Sequence, residues 1–196
     1  MVLLFVDFKY LYRGGRHMDF EEKTMKSDKL YEGKLLNLRI DTVELPDKKY
    51  SKREIIEHPG GVAILAITED NCIILVEQYR KAVERFLLEL PAGKVELNEE
   101  PVETATRELK EETGITTDNL EYLLEFYTSP GFSNEKIYLF LAKDLIQGEA
   151  QPDSGEFIKT VQFKIDDLEK MVDRGEILDS KTIIGIQLAK KFIKNK

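Results

Sequence analysis

Cysteine is nearly absent from this 196-residue chain, and the single thiol, Cys72, has no partner for an internal disulfide. It sits in the apolar run "CIILV", which reads as core of a cytoplasmic protein rather than as a nucleophile. Long hydrophobic runs are lacking as well. No apolar stretch approaches the roughly 20 residues that a membrane-crossing helix needs, so no membrane partner is expected. Nor is there a basic excess: 29 Lys plus Arg stand against 37 Asp plus Glu, a formal net charge of −8. A phosphate-backbone polymer favours a basic surface, so nucleic acid is not the expected ligand. A small phosphorylated ligand is not excluded, because a bound cation reverses the local field. Internal repeats and low-complexity linkers are missing too, and the length suits one domain or one domain with a small appendage.

The opening "MVLLFVDFKYLYRGGRHM" has a short apolar run, but no basic n-region and no small-residue cleavage site. Asp7 interrupts the run, which argues against a signal peptide. "RGGRHM" can be encoded by a purine-rich stretch that looks like a ribosome-binding site just before the codon of Met18. The expectation is that Met18 is the native start and that residues 1–17 are a translated leader or a disordered tail.

Apolar and polar residues alternate around the turn "PDKK", predicting a hairpin over Leu35–Leu45 and Tyr50–His58. Val62–Ile67 and Cys72–Gln78 read as apolar strands joined by "TEDN". "RFLLELPAGKV" reads as a short strand ending at Pro91, followed by a glycine turn. "EEPVETATRELKEETG" reads as a helix, with Pro101 near its start, acids in its first turn and Gly114 at its C-terminal cap. "LEYLLEFYTS", "KIYLFLAKDL" and "IKTVQFKI" follow as strands, then "DDLEKMVDRGEI" and "SKTIIGIQLAKKFIKNK" as closing helices. Strands that connect mostly by hairpins, with helices inserted late, predict an α+β domain: a mixed sheet with helices on its faces.

The segment "GKVELNEEPVETATRELKEETGI", Gly93–Ile115, is crowded with glutamate. Glu108, Glu111 and Glu112 have i, i+3 and i+4 spacing, so on a helix they share one face. Val102, Ala105 and Leu109 form an adjoining stripe that can pack on a sheet. Like charges so placed repel. They suit either a solvated face balanced by Arg107 and Lys110, or a site for a hard divalent cation such as Mg2+, which takes carboxylate, water and phosphate oxygens.

The spacing G-x5-E-x7-R-E-L-x-E-E-x-G-I resembles the signature of the Nudix hydrolases at Gly93, Glu99, Arg107, Glu108, Leu109, Glu111, Glu112, Gly114 and Ile115, without departures. Further stretches, "SKREIIEHPG", "VEQYR", "LELPAGK", "FYTSPGFSNE" and "KTIIGIQ", are similar to the bacterial ADP-ribose pyrophosphatase branch, as is Pro130, 16 residues past Gly114. The resemblance implies a Nudix α/β/α sandwich, a mixed sheet flanked by helices, over residues 58–196. It also implies an N-terminal antiparallel β extension, residues 18–57, that pairs with a second subunit. It further implies Mg2+-dependent hydrolysis of ADP-ribose to AMP and ribose 5-phosphate, with Mn2+ as a substitute cation, in a homodimer with shared active sites. Other nucleoside diphosphate conjugates, such as a sugar nucleotide or a dinucleoside polyphosphate, are the alternative substrates. A non-catalytic ADP-ribose sensor is disfavoured by the complete set of signature glutamates.

The residue roles are implied in the same way. Glu108 and Glu112 are the expected metal ligands. Glu111 is a third ligand or a supporting carboxylate, and the Ala92 carbonyl is a backbone ligand. Glu111 and Glu112 also belong to the catalytic set. Arg107 is expected to pair with Glu99 and brace the segment, with Gly93 and Gly114 permitting turns at either side. The base that activates water is assigned to the loop "IQGEAQPDSGEF", as Glu156, with Asp153 in reserve. Arg80 is expected on the phosphates or adenine, Arg53 across a dimer interface, and Glu135 near the terminal ribose. His58 is expected to be structural.

Overall fold

The computed structural model of the chain describes residues 20–151 and 155–193. The expected leader, the start at Met18 and the reserve base Asp153 lie outside them. The chain divides into two units between Ile56 and Glu57.

The first unit holds a three-stranded sheet in the order β1-β2-β3, with β1 at Lys23–Glu32, β2 at Asn37–Glu44 and β3 at Tyr50–Glu57. β1 pairs antiparallel with β2, with register shifts between Thr24 and Lys26 and between Lys29 and Tyr31. The β2–β3 hairpin closes where the Leu45 amide donates to the Lys49 carbonyl (2.7 Å) and Lys48 takes φ +67°. β1 extends the expected hairpin by a strand that the sequence reading did not contain.

The second unit carries two sheets. β4 (Gly61–Ala66) is the centre of the larger one, ordered β7-β4-β9-β8, with β7 at Ala92–Lys94, β8 at Asn119–Tyr127 and β9 at Lys136–Lys143. β4 and β9 run parallel, from Gly61 opposite Ile137 to Ala66 opposite Ala142, and β7 and β8 are antiparallel to their neighbours. In the smaller sheet, β5 (Cys72–Arg80) lies between β10 (Ile158–Lys164) and β6 (Arg85–Glu89), antiparallel to both. A bridge between Ile67 and Ile73 links the end of β4 to the start of β5.

All six residues of β4 are buried, because the sheet is covered on both faces. Val62, Ile64 and Ala66 point to one side and meet Ala105 and Leu109 of α1 (Pro101–Thr113), with Ile74 and Phe140 beside them. Ala63 and Leu65 point to the other, where Ile165 and Leu168 of α2 (Ile165–Asp173) and Ile186 and Ala189 of α3 (Ser180–Ala189) close the core. This is the expected α+β sandwich, helix on sheet on helix. Cys72 is buried and free.

Two details differ from the sequence reading. The expected glycine turn after Pro91 is instead the short strand β7, which places Ala92 opposite Ala63. The last helix stops at Ala189 and tightens into a single 3-10 turn, Lys190–Phe192.

Candidate active site

α1 is built to start and stop where it does. Pro101 fills its first position, and the Glu103 carboxylate accepts from the Glu100 amide (3.0 Å), satisfying a donor that the helix cannot. At the far end Gly114 takes φ +73°, and its amide donates to the Lys110 carbonyl (2.8 Å). A side chain on Gly114 would also collide with the backbone of Gly148, Glu149 and Ala150, each 2.6 Å from its Cβ position.

Arg107 organises the acidic face. Its Nε and Nη2 donate to the two oxygens of Glu99 (3.0 and 3.1 Å), while Nη1 donates to Glu108 (2.7 Å) and Glu111 (2.9 Å). The Arg107 fork, helped by the Thr104 hydroxyl, lowers the Glu99 carboxyl to about 2. Glu99 is therefore anionic at neutral pH, and it ties the β7–α1 loop to the helix.

Glu108 and Glu112 are held differently. Glu108 sits directly against Gly93: a Cβ there would lie 1.9 Å from the carboxyl carbon of Glu108 and from its Oε1. Gly93 thus supplies room for a carboxylate. Its φ lies outside the left-handed region, so the expected turn role is corrected. Burial raises the Glu108 carboxyl, with Arg107 opposing and Glu111 and Glu156 reinforcing. Glu112 is only 6% exposed, and its Oε2 accepts from the Ala92 amide (2.9 Å). Burial, aided by Glu108 and Glu156, pushes its carboxyl up to about 8 against the pull of that amide and of Arg80.

Among the described residues, no three His, Cys, Asp or Glu side chains already stand in a metal-holding arrangement. The reason is visible: Arg107 engages Glu108 and Glu111, while Glu112 turns to Ala92. The donor set nevertheless fits a hard divalent cation. Half-buried Glu108 and buried Glu112 stand one helical turn apart with Arg107 as the cation bound to the first of them, and all the donors are oxygens.

The Glu156 side chain is exposed, yet its charge acts on both Glu108 and Glu112. The flanks of its loop are pinned to the last turn of α1. The Gln151 amide donates to the Glu111 carbonyl (2.9 Å), and the Thr160 hydroxyl donates to the Glu112 carbonyl (3.2 Å). These bonds satisfy carbonyls that the helix end leaves open.

Arg80 ends β5 on the face that carries Ile74 towards α1, and it feels the charge of Glu112. It also binds Glu89 through Nε and Nη2 (2.7 and 2.8 Å), a partner that the sequence reading missed. Glu135 accepts from the Thr128 hydroxyl (2.6 Å) and stands 3.7 Å from His58 Nδ1, bracing the loop 128–135 across its base. His58 Nδ1 itself accepts from the Gly60 amide (3.1 Å). Arg53 belongs to the first unit, where it pairs with Glu22. The structure thus brings Ala92, Gly93, Glu99, Arg107, Glu108, Glu111 and Glu112 together, with Glu156 and Arg80 within electrostatic reach of Glu112.

The NUDIX domain family model matches residues 57–182, and the chain belongs to the Nudix family. Among its relatives, the methanol dehydrogenase activator of Bacillus methanolicus is 46% identical over 170 residues, covering 86% of this chain and 92% of the relative. The ADP-ribose pyrophosphatase of Bacillus subtilis (strain 168) is also 46% identical, covering 85% and 91%. That of Mycobacterium tuberculosis is 38% identical, covering 86% and 82%. A solved ADP compounds hydrolase shares the fold, with a TM-score of 0.77 at 20% identity over 88% of this chain and 94% of its own.

Proposed function

We propose that the protein is an ADP-ribose pyrophosphatase that uses Mg2+, with Mn2+ as a substitute, to hydrolyse ADP-ribose to AMP and ribose 5-phosphate. The carrying observation is the carboxylate pair of half-buried Glu108 and buried Glu112, one helical turn apart and set beside a glycine that leaves room for one of them. The equal identity to a pyrophosphatase named for this substrate supports the choice within the family.

In this reading Glu108, Glu112, Glu111 and the Ala92 carbonyl would hold the cation. When bound, it supplies positive charge that offsets the diphosphate oxygens and eases deprotonation of a nearby water. Glu156 takes the proton from that water. The water oxygen forms a new bond to one phosphorus, the bridging P–O bond breaks, and the bridging oxygen leaves on the other phosphate. Arg80 binds the diphosphate through the donors that Glu89 leaves free. Glu135 serves the terminal ribose side. Arg53 acts in the site of a second copy, in a homodimer paired through the N-terminal strands. The wholly exposed β1, with Met25, Leu30 and Tyr31 on show, supports that pairing. The enzyme works on a small nucleotide in the cytoplasm, with no nucleic-acid or membrane partner.

Product release from ADP-ribose, GDP-mannose and a dinucleoside polyphosphate, each with Mg2+ and with EDTA, tests the reading. Product should form fastest from ADP-ribose, as AMP and ribose 5-phosphate, and its formation should stop with EDTA. A preference for GDP-mannose would move the assignment to a sugar nucleotide, and inertness towards the whole panel would remove it. Light scattering that finds an active monomer would overturn the shared-site dimer.

A further inference from the structure

Between β6 and α3 lies a charge cluster that ties Arg80 to the first turn of α3. Glu89, the last residue of β6, is 1% exposed. Its Oε1 accepts from Arg80 Nε (2.7 Å), and its Oε2 accepts from Arg80 Nη2 (2.8 Å) and from Lys181 Nζ. Lys181 Nζ also donates to Asp179 Oδ1 (2.9 Å). Asp179 Oδ2 caps α3 by accepting from the Thr182 amide (2.9 Å) and hydroxyl (2.6 Å). The Thr182 oxygen in turn accepts from the Leu90 amide (2.8 Å), the residue after Glu89. The chain of bonds runs from the end of β6 through the first turn of α3 and back to β6.

Docking α3 does not require this charge. Leu90 already meets the helix through Thr182, and through Gly185, where a Cβ would lie 2.6 Å from Leu90 Cδ1. Ile186 and Ala189 are fully buried behind them. A buried carboxylate is retained only where it is paired, and an apolar pair of similar size serves packing as well or better. What the carboxylate adds is a fixed guanidinium. Arg80 spends two of its five N–H groups on Glu89, its Nη1 has no hydrogen-bond partner among the described residues, and its side chain is 42% exposed. It stands on the α1 side of β5, within reach of the charge of Glu112. Lys181, whose side chain is 12% exposed, grips Oε2 and stops the carboxylate from rotating about its own bond, so the fork on Arg80 has one orientation.

We propose that Glu89 and Lys181 are positioning residues for the hydrolysis: they hold the Arg80 guanidinium by its Nε and Nη2 edge and leave Nη1 for the anionic diphosphate of the substrate. The proposal rests on the reading of Arg80 as a substrate contact. It assigns a task to the "LELPAGK" and "KTIIGIQ" stretches, which contribute Glu89 and Lys181.

A double-mutant cycle on the full chain separates the two ideas. Steady-state kinetics with ADP-ribose and Mg2+ are measured for Arg80→Ala, Lys181→Met, Lys181→Arg and the double variant Arg80→Ala/Lys181→Met, with a thermal melt of each. Arg80→Ala should raise KM roughly 10–100-fold, the loss expected for hydrogen bonds to a charged group. Lys181→Met should raise KM about tenfold in the otherwise unchanged chain and less than twofold when Arg80 is already gone. Lys181→Arg should recover most of the loss. If Lys181→Met fails to fold, Lys181→Gln, which keeps a donor, carries the same comparison. An unchanged KM in the Lys181 variant, or the same factor on both backgrounds, overturns the positioning role while leaving Arg80 as a contact. An unchanged KM in Arg80→Ala removes the contact, and the positioning role falls with it.

Discussion

Replacing Gly93 by alanine places a methyl carbon 1.9 Å from Cδ and Oε1 of Glu108. Ordinary contact begins near 3.4 Å, so the carboxyl must retreat by at least about 1.5 Å (3.4 − 1.9). The obstacle is the far end of a flexible side chain, so the backbone of β7 can stay in place while Glu108 swings out. Misplacing a catalytic group by an ångström costs on the order of 100-fold, about 2.7 kcal/mol of barrier. Stability should barely change. Alanine suits a strand better than glycine, and the displaced carboxylate leaves a site where burial disfavours its charge. The assay is kcat/KM for ADP-ribose across a Mg2+ series, with a thermal melt of the metal-free protein. The expected outcome is a loss of roughly 100-fold in kcat/KM, a Mg2+ midpoint moved to higher concentration, and a melting temperature near that of the parent. Full activity with an unchanged Mg2+ midpoint would show that Glu108 need not lie against Gly93 for catalysis. A collapse in melting temperature with kcat/KM intact would return Gly93 to the role of a turn residue.

Glu112→Gln addresses the buried partner. The carboxyl is raised to about 8 in the folded chain from 4.5, so between those pH values the folded state binds the extra proton and metal-free stability falls as pH rises through the window. The Gln variant lacks that loss, so in EDTA at pH 9 it should exceed the parent by a few kcal/mol, about 5 at most, while activity is abolished. Urea titrations at pH 5 and pH 9 with parallel pH trends for the two proteins would contradict this. Glu156→Gln should lower kcat by orders of magnitude with little change in KM, and near-normal turnover would move the base elsewhere. Thr182→Val leaves the Leu90 amide without its acceptor in a fully buried setting and should cost about 1–3 kcal/mol in chemical denaturation. A change within error would mean that another acceptor replaces the hydroxyl.

The parts legible in the sequence were those with a period or a fixed spacing. β4 announced itself as an apolar run because both of its faces are covered. α1 did so because its buried stripe, its acidic face, Pro101 and Gly114 all agree. β1 did not, because every one of its residues is exposed and its register shifts twice, leaving no alternation to read. Gly93 was legible as an obligatory glycine but not for its reason, since the group that needs the space, Glu108, lies on the following helix. Glu89 was invisible for a similar cause. A lone acid among "LLELP" gains meaning only when Lys181 arrives from 92 positions away. Spacing reports what one element does with itself, whereas burial of a charge depends on what another element brings to it.

The contact of α3 with Leu90 bears on where this enzyme can be cut. The family-model match ends at residue 182, yet Ile186 and Ala189 have no exposed surface, and Gly185 lies under the Leu90 side chain. A chain trimmed to that boundary would keep every signature glutamate and still open its core to water on the side away from them. The smallest autonomous domain therefore extends past the family-model boundary by at least the final two turns of that helix.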